Sequence, residues 1–228
     1  MKEMSDYYSA KLSAKRLKQA YDIASPRIQQ YLNAELNHVL SKIRHDDIVL
    51  ELGCGYGRAL PSLASKAREV VGMDSSAPSV KLARQTLNLD NIALFRMDAA
   101  TLGFRDRSFD NVICIQNGIS AFHVDQRTLI AESVRVTRPG GAAFFSSYSD
   151  KFWKHRLDWF EAQARAGLLG EINYAKTTNG TIVCKDGFTA TTVHTEDFLA
   201  LTSHLNVDAE IVEVDESSLF CEIVRLDP

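Results

Sequence analysis

The chain has 228 residues, of which 45% are hydrophobic and 24% are charged, and its formal net charge is −3. These are ordinary values for a globular protein, and the length suits one large domain or one domain with an insertion. The weak charge gives no indication of binding to nucleic acid or to an acidic membrane. No apolar segment reaches the ~18 residues that a membrane-spanning helix needs.

The four cysteines argue against a metal site and against a disulfide framework. They lie far apart, at positions 54, 114, 184 and 221, and form no C-x-x-C pair. Zinc ligands and disulfide scaffolds both use closer and more regular spacing. The N-terminal sequence lacks the apolar core of a signal peptide. The sequence therefore predicts a soluble, cytoplasmic protein that binds no metal and works in a reducing environment.

The first two predicted elements are helices, and Pro26 separates them because proline suits the first turn of a helix. A basic cluster at 11–18 fits the exposed face of the first helix better than an RNA-binding patch. Each segment carries an apolar stripe at helical spacing: Ala10, Ala14, Leu17, Tyr21 and Ala24, then Ile28, Leu32, Leu36, Val39, Leu40 and Ile43. Residues 1–44 are thus predicted to form a helical N-terminal segment.

From residue 48 onward, short apolar runs alternate with segments of helical periodicity. The runs, predicted as strands, are 48–52, 69–74, 92–98, 109–117 and 142–148. The helical segments are 58–67, 78–88 and 125–137. Apolar strands that alternate with helices are typical of a parallel sheet that is covered on both faces.

After residue 148 the pattern changes. An amphipathic helix is predicted from Trp153 to a stop at Gly170. Two turn signals, Asn179-Gly180 and Asp186-Gly187, predict an inserted β-meander near 172–193. Thr195 has acids in the following turn and is predicted to cap a helix. The runs "VDAEIVEV" and "LFCEIVRL" around "DESS" predict a terminal antiparallel hairpin.

The stretch "VLELGCGYGRAL" (49–60) leads from a strand through three glycines into a helix, which is a nucleotide-binding arrangement. The glycines are Gly53, Gly55 and Gly57, and the next residue is Arg58. A dinucleotide site requires a small residue where Arg58 stands. Glu51, two residues before the first glycine, is unfavourable beside a pyrophosphate. A carboxylate here suits a ligand that carries positive charge.

S-adenosylmethionine is such a ligand, and "ELGCGYGR" resembles motif I of the class I S-adenosylmethionine-dependent methyltransferases. The resemblance covers roughly residues 45–150 and includes "VVGMDSS", "FRMDAA" and "RVTRPGGAAFFSS", in which Pro139-Gly140-Gly141 forms a turn. It implies one α/β domain over 1–228. The implied fold is Rossmann-like and doubly wound, with seven strands in the order 3-2-1-4-5-7-6 and strand 7 antiparallel.

The resemblance also implies which residues hold the cofactor. Asp74 would accept hydrogen bonds from the ribose hydroxyls, with Ser75 beside it. Asp98 and Ala99 would contact adenine. The remaining residues, near the methionine part, are Glu51, Gly53, Gly55 and Gln116, with Asn117 next to it. Asp74 or Asp98 alone also fits a helix cap or an exposed acid, but together these residues end successive strands at one sheet edge, where ligands bind.

His123 is the candidate general base, although a solvent-facing histidine fits the same position.

In related enzymes the N-terminal helices (here 1–44) cover the cofactor, and insertions such as 150–194 form a lid. Aromatic residues of both segments fit either packing or the substrate pocket: Tyr7, Tyr8, Tyr21, Phe152, Trp153 and Trp159. The favoured function is methyl transfer to a small molecule. The alternatives are a non-enzymatic cofactor-binding regulator and an NAD-dependent oxidoreductase. The acceptor, its attacking atom and the oligomeric state stay open.

Overall fold

A seven-stranded sheet runs through the part of the chain that the computed structural model describes, Tyr7 and residues 11–227. The sheet strands are β1 (Ile48–Leu52), β2 (Glu69–Asp74), β3 (Ile92–Arg96), β4 (Phe109–Cys114), β5 (Thr137–Tyr148), β8 (Val207–Val214) and β9 (Ser218–Arg225). Their spatial order is β3-β2-β1-β4-β5-β9-β8. Strands β1 to β5 are parallel, and β9 is antiparallel to β5. Counted within the sheet alone, the order is 3-2-1-4-5-7-6, which confirms the predicted fold.

Helices connect and cover these strands. They are α1 (Ala14–Asp22), α2 (Pro26–Lys42), α3 (Leu60–Ala64), α4 (Ala77–Thr86), α5 (Gly118–Ala121), α6 (Gln126–Val136), α7 (Trp153–Arg165) and α8 (Thr195–Thr202). A 3₁₀ turn, Asp150–Phe152, precedes α7. Two short strands outside the main sheet, β6 (Thr181–Val183) and β7 (Thr189–Thr191), form an antiparallel hairpin.

Strand β1 is apolar apart from Glu51, because both faces of the sheet are covered. Its residue Leu50 packs in a core with residues of α6 and α8, and the adjacent Val49 packs in a second core with residues of α2 and α3. Both side chains are fully buried. Each contributes roughly 1.5–3 kcal/mol to the free energy of unfolding.

Several predicted boundaries shift in the structure; strands β3 and β4, for example, end at Arg96 and Cys114 rather than at 98 and 117. Strand β5 begins at Thr137, so the predicted Pro139-Gly140-Gly141 turn is an irregularity within the strand, where the register moves from Phe109↔Thr137 to Asn111↔Ala142. Helix α7 ends before Gly167 and not at Gly170, because Gly167 adopts a left-handed φ of +68° and closes a Schellman motif. His194, rather than Thr195, is the N-cap of α8.

Helices α1 and α7 and the β6–β7 hairpin pack together beside the main sheet, and we call these three elements the cap. Their shared core includes Leu12, Ala20, Phe160, Ile182 and Phe188. Trp159 Nε1–H donates to the Ala20 carbonyl at 3.0 Å. These contacts join the predicted N-terminal and inserted segments into one layer. The predicted roles of Tyr8 and Ala10 lie outside the described residues.

Within the described ranges, no helix is both long and apolar enough to cross a bilayer. The same part of the chain has no group of three His, Cys, Asp or Glu side chains that could hold a metal ion. All four cysteines are buried and unpaired.

Candidate functional site

The carboxyl ends of β1 to β4, with the loops that follow them, meet at one edge of the sheet, which we call the rim. The glycine loop after β1 requires its glycines. Gly53 has a φ of +69°, and a Cβ there would lie 2.6 Å from the Phe122 ring. Gly55 has a φ of +56°, and a Cβ would lie 2.9 Å from Leu17. Only glycine accepts this combination of backbone conformation and close packing.

Asp74, at the end of β2, holds the glycine loop in place. Its Oδ2 accepts the Gly55 N–H at 2.9 Å, and its Oδ1 accepts the Ser76 N–H at 2.8 Å. Asp74 also lines two cavities at the rim, where a carboxylate oxygen can accept a hydrogen bond from a ligand's hydroxyl group.

Two cavities meet at Asp74. The larger, which has the more extensive lining, lies between the rim and the cap. The smaller is a slot with mostly apolar walls, lined by residues that include Met97, Asp98, Ala99 and Val124. Both are lined by Gly53, Asp74, Ser75 and Phe122. The arrangement suits an elongated ligand with a flat apolar end in the slot and hydroxyl groups at Asp74.

A buried acid, Glu51, and a partly buried base, Arg58, face a third, small cavity at the glycine loop. Glu51 Oε2 and Arg58 Nη2 have no hydrogen-bond partner among the described residues. Burial raises the pKa of Glu51 to about 7, the Arg58 guanidinium lowers it, and Asp74 raises it. Unpaired buried polar groups are rare and costly. An amino-acid ligand would satisfy both, its ammonium at Glu51 and its carboxylate at Arg58.

At the end of β4 the chain makes a corner in which two consecutive non-glycine residues are left-handed. Gln116 and Asn117 both have a φ of +58°. The Gln116 N–H donates to Glu35 Oε2 at 2.9 Å, and Tyr21 O–H donates to Gln116 Oε1 at 2.6 Å. Asn117 Nδ2 donates to the Thr191 carbonyl at 2.9 Å. The corner thus connects the rim to α2 and to the cap.

The structure brings the eight predicted cofactor residues together at the rim. The small cavity at the glycine loop is lined by Glu51, Gly53, Gly55 and Gln116. Asp74 and Ser75 lie where the larger cavity and the slot meet. The slot is also lined by Asp98 and Ala99. The Asp98 carboxylate also accepts the Ala100 N–H at 2.8 Å, so it closes a turn as well.

The other predicted candidates, five aromatic residues and His123, differ in whether they line the larger cavity. Tyr21 and Trp159 line the larger cavity. Phe152 is fully buried and stacks near Tyr148 instead. Two further candidates lie away from the larger cavity: Trp153 packs in the core of the cap, and Tyr7 packs on Phe188 and bonds to Asp186. His123 is exposed, and the lining includes its neighbour Phe122 instead.

Sequence reasoning missed Glu35, Phe122 and Gln163. Phe122 and Gln163 line the larger cavity but belong to no motif. Glu35 did leave a signal, because it lies between Leu32 and Val39 on the apolar face of α2. An acid on such a face is almost never fully buried without a partner. That mismatch could have identified it.

Comparison with known proteins identifies the central part of the chain. Residues 49–141 match the family model described as a methyltransferase domain. Phthiotriol/phenolphthiotriol dimycocerosates methyltransferase 1 of Mycobacterium ulcerans is 33% identical over 127 residues, which are 55% of this chain and 45% of the relative. Fatty-acid O-methyltransferase of Mycolicibacterium smegmatis is 30% identical over 125 residues, 53% of this chain and 43% of the relative. The chain therefore spans less than half the length of these curated relatives.

Solved structures share the fold over most of the chain. A protein from Pyrococcus horikoshii OT3 superposes with a TM-score of 0.68 at 22% identity, over 90% of this chain and 94% of that one. The N-methyltransferase NodS from Bradyrhizobium japonicum WM9, in complex with S-adenosyl-L-homocysteine, gives a TM-score of 0.60 at 18% identity, over 89% of each chain. At these identities the likeness concerns the fold alone.

Proposed function

We propose, from the premise that this chain belongs to the class I S-adenosylmethionine-dependent methyltransferases, that it transfers a methyl group from S-adenosylmethionine to a small molecule. The family match and the fold support the reaction type. The single observation that supports the cofactor best is the pair Glu51 and Arg58, since Glu51 Oε2 and Arg58 Nη2 are buried and have no hydrogen-bond partner among the described residues. The methionine part of the cofactor carries the ammonium and the carboxylate that this pair lacks.

The remaining rim residues fit the rest of the cofactor. Asp74 would accept hydrogen bonds from the ribose hydroxyls, because its carboxylate lies where the larger cavity and the slot meet. The slot formed by Met97, Asp98 and Ala99 would hold adenine. Gln116 lines both the larger cavity and the glycine-loop cavity, so it would lie beside the methionine part.

When bound, S-adenosylmethionine would supply a methyl carbon activated by its sulfonium, which the acceptor attacks in line as S-adenosylhomocysteine leaves. The protein's contribution is to orient the acceptor and to exclude water. Tyr21, Trp159 and Phe160 close the cavity on the side of the cap. Burial raises the pKa of Tyr148 to about 12, so this lining residue stays protonated and can donate a hydrogen bond to the acceptor.

The lining of the larger cavity favours an acceptor with an apolar body. Among the described lining residues, Asp74 alone is charged. The cap contributes aliphatic and aromatic side chains, together with Gln163, which is 3% exposed and can pair with one polar group. A charged acceptor would lose its hydration here without compensation. The relative named fatty-acid O-methyltransferase is consistent with an acceptor of this kind.

The cofactor assignment is tested by isothermal titration calorimetry with two ligands. S-adenosylhomocysteine has the amino-acid part, and 5′-methylthioadenosine lacks it. We expect the wild type to prefer S-adenosylhomocysteine by about tenfold or more, the value of one or two charge-assisted hydrogen bonds. Glu51→Gln and Arg58→Met should each reduce this preference. Glu69→Gln, at an exposed position of β2, is the matched control and should leave it unchanged.

Equal affinity for the two ligands in the wild type would contradict the assignment of Glu51 and Arg58. Binding of NAD without binding of S-adenosylhomocysteine would favour the oxidoreductase alternative. Turnover is tested with S-adenosylmethionine that carries a labelled methyl group, offered with a metabolite extract. Tight cofactor binding without transfer to metabolites, RNA or protein would favour the non-enzymatic regulator.

A further inference from the structure

Glu35 is a fully buried acid on the apolar face of α2. Its Oε2 accepts the Gln116 N–H at 2.9 Å, and its Oε1 accepts the Ser218 hydroxyl at 3.0 Å. A carboxyl group is expensive to bury, and the cost is offset only when its oxygens find hydrogen-bond donors. Glu35 meets this condition by joining α2 to β9 and to the end of β4.

The bond to Gln116 falls where the backbone needs support. A left-handed conformation is strained for a non-glycine residue, and it persists only where the surroundings determine it. At the β4 corner, Gln116 and Asn117 are both left-handed. Asn117 is held by its own side chain, whereas the Gln116 N–H depends on Glu35.

The same corner connects the rim to the cap. Gln116 Oε1 accepts the Tyr21 hydroxyl at 2.6 Å, and Tyr21 lies on α1 of the cap. Both side chains line the larger cavity and the glycine-loop cavity. The hydrogen bonds therefore run from Ser218 through Glu35 and Gln116 to Tyr21, that is, from the sheet behind the site to the cap in front of it.

We propose that Glu35 is a positioning residue of the cofactor site: by accepting the Gln116 N–H, it holds the β4 corner in the conformation that places Gln116 between the cofactor cavity and Tyr21. This inference rests on the proposed function for the identity of the ligand. Glu35 acts as a hydrogen-bond acceptor and not as a charge.

The electrostatic surroundings agree with an acceptor role. Burial raises the pKa of Glu35 to about 7, and its hydrogen bonds and the Arg58 guanidinium lower it. The other titratable groups that act on it or are influenced by it are Tyr31, Tyr148 and Cys114. A neutral carboxyl group can accept the Gln116 N–H with its carbonyl oxygen and donate its proton to Ser218. A glutamine side chain can make the same two bonds.

Two substitutions separate reach from charge. Glu35→Gln keeps the reach of the side chain and removes the charge, whereas Glu35→Asp keeps the charge and shortens the side chain by one methylene. The readouts are the Kd for S-adenosylhomocysteine by calorimetry and hydrogen exchange at the Gln116 amide. Glu222→Gln is the matched control, because Glu222 also joins β9 to α2, through His38 and Lys42, and does not contact Gln116.

We expect Glu35→Asp to weaken binding about tenfold, the loss of one buried hydrogen bond, and to accelerate exchange at Gln116. Glu35→Gln should stay within about threefold of the wild type in affinity and keep the amide protected, and Glu222→Gln should match the wild type in both. The opposite pattern, with Asp tolerated and Gln not, would overturn the proposal. If the Asp variant does not fold, loss of Gln116 protection in the Gln variant would overturn it.

A wild type that does not bind S-adenosylhomocysteine would refute the proposed function and leave the exchange experiment intact. Hydrogen exchange at the Gln116 amide needs no ligand, so this measurement by itself would then decide whether Glu35 is a positioning residue. The two failures are therefore distinguishable.

Discussion

The rim and the cap are built in different ways. At Asp74 and the glycine loop, rim contacts join residues that are near each other in the sequence: Asp74 with Ser76 and, 19 residues apart, with Gly55. Cap contacts cross the chain, as in the bond between Trp159 and Ala20, 139 residues apart. The rim takes its shape from strand ends and glycine conformations. The cap takes its shape from the packing of side chains between distant segments.

This difference indicates separate roles. The local contacts at Asp74 and the glycine loop do not involve the cap, which suits a cofactor that does not vary. A cap that depends on packing can change its lining by few substitutions, which suits the selection of an acceptor. The two regions should therefore respond separately when each is perturbed.

The largest expected effect concerns the cap. Arg156 is 1% exposed, and its guanidinium bonds to the Ala190 carbonyl at 2.9 Å and the Thr192 hydroxyl at 2.6 Å. It also lies 4.3 Å from the centroid of the Tyr148 ring. Arg156→Met would leave buried oxygens of the hairpin without a donor. We expect the free energy of unfolding to fall by about 3 kcal/mol in urea denaturation.

The control for this prediction is Arg84→Met. Arg84 is exposed and donates to the Leu94 carbonyl at 2.7 Å, so we expect its loss to cost less than about 0.5 kcal/mol. Under conditions where Arg156→Met is folded, its affinity for S-adenosylhomocysteine should stay near that of the wild type. A parallel loss of affinity would show that the rim depends on the cap.

The next effect concerns the rim. Asp74→Ala removes the acceptor of the Gly55 and Ser76 N–H groups and the proposed acceptor of the ribose hydroxyls. We expect calorimetry to show S-adenosylhomocysteine binding weakened by about 1–3 kcal/mol. Asp98→Asn, which keeps an acceptor for the Ala100 N–H, should cost less. Unchanged affinity in Asp74→Ala would contradict the ribose assignment.

The sequence indicated which residues meet at the rim, but it did not indicate Phe122 and Gln163 in the cavity lining, for physical reasons. The rim residues follow from strand ends and glycines, since both depend on short-range rules. Phe122, which lies against Gly53, follows from no such rule and appears only in the structure. The Schellman motif at Gly167 was also missed, since the periodicity of α7 alone did not distinguish Gly167 from Gly170 as its end. Side chains that pack together from distant segments of the chain leave no local pattern in the sequence.

A smaller effect is the response of the rim to pH. Burial raises the pKa of Glu51 to about 7. Its side chain therefore becomes ionised only as the pH approaches and passes neutrality. The ionised form binds the ligand's ammonium, so affinity for S-adenosylhomocysteine should rise by up to about tenfold between pH 6 and pH 8. Calorimetry across this range measures the effect. Glu51→Gln should abolish most of it, and a slope that survives would assign the titration to another group.

The stability of the ligand-free protein should change in the opposite direction. A carboxyl group whose pKa is raised on folding stabilises the folded state at low pH. The contribution of Glu51 is complete below its ordinary pKa of 4.5 and is lost as the pH rises through about 7. Urea denaturation of the wild type and Glu51→Gln over pH 5–8 measures this difference. If the two proteins keep a constant difference in stability, the raised pKa is contradicted.

The smallest expected effect concerns His123, which the sequence placed on the reactive side of the rim. His123 is exposed and has a φ of +52°, and the cavity lining contains Phe122 in its place. Asparagine tolerates the left-handed region, so His123→Asn keeps the backbone and removes the imidazole. We expect kcat to change by less than about twofold. A loss above about tenfold with unchanged cofactor affinity would restore His123 as the general base. It would also show that residues 121–124 move toward the acceptor during turnover.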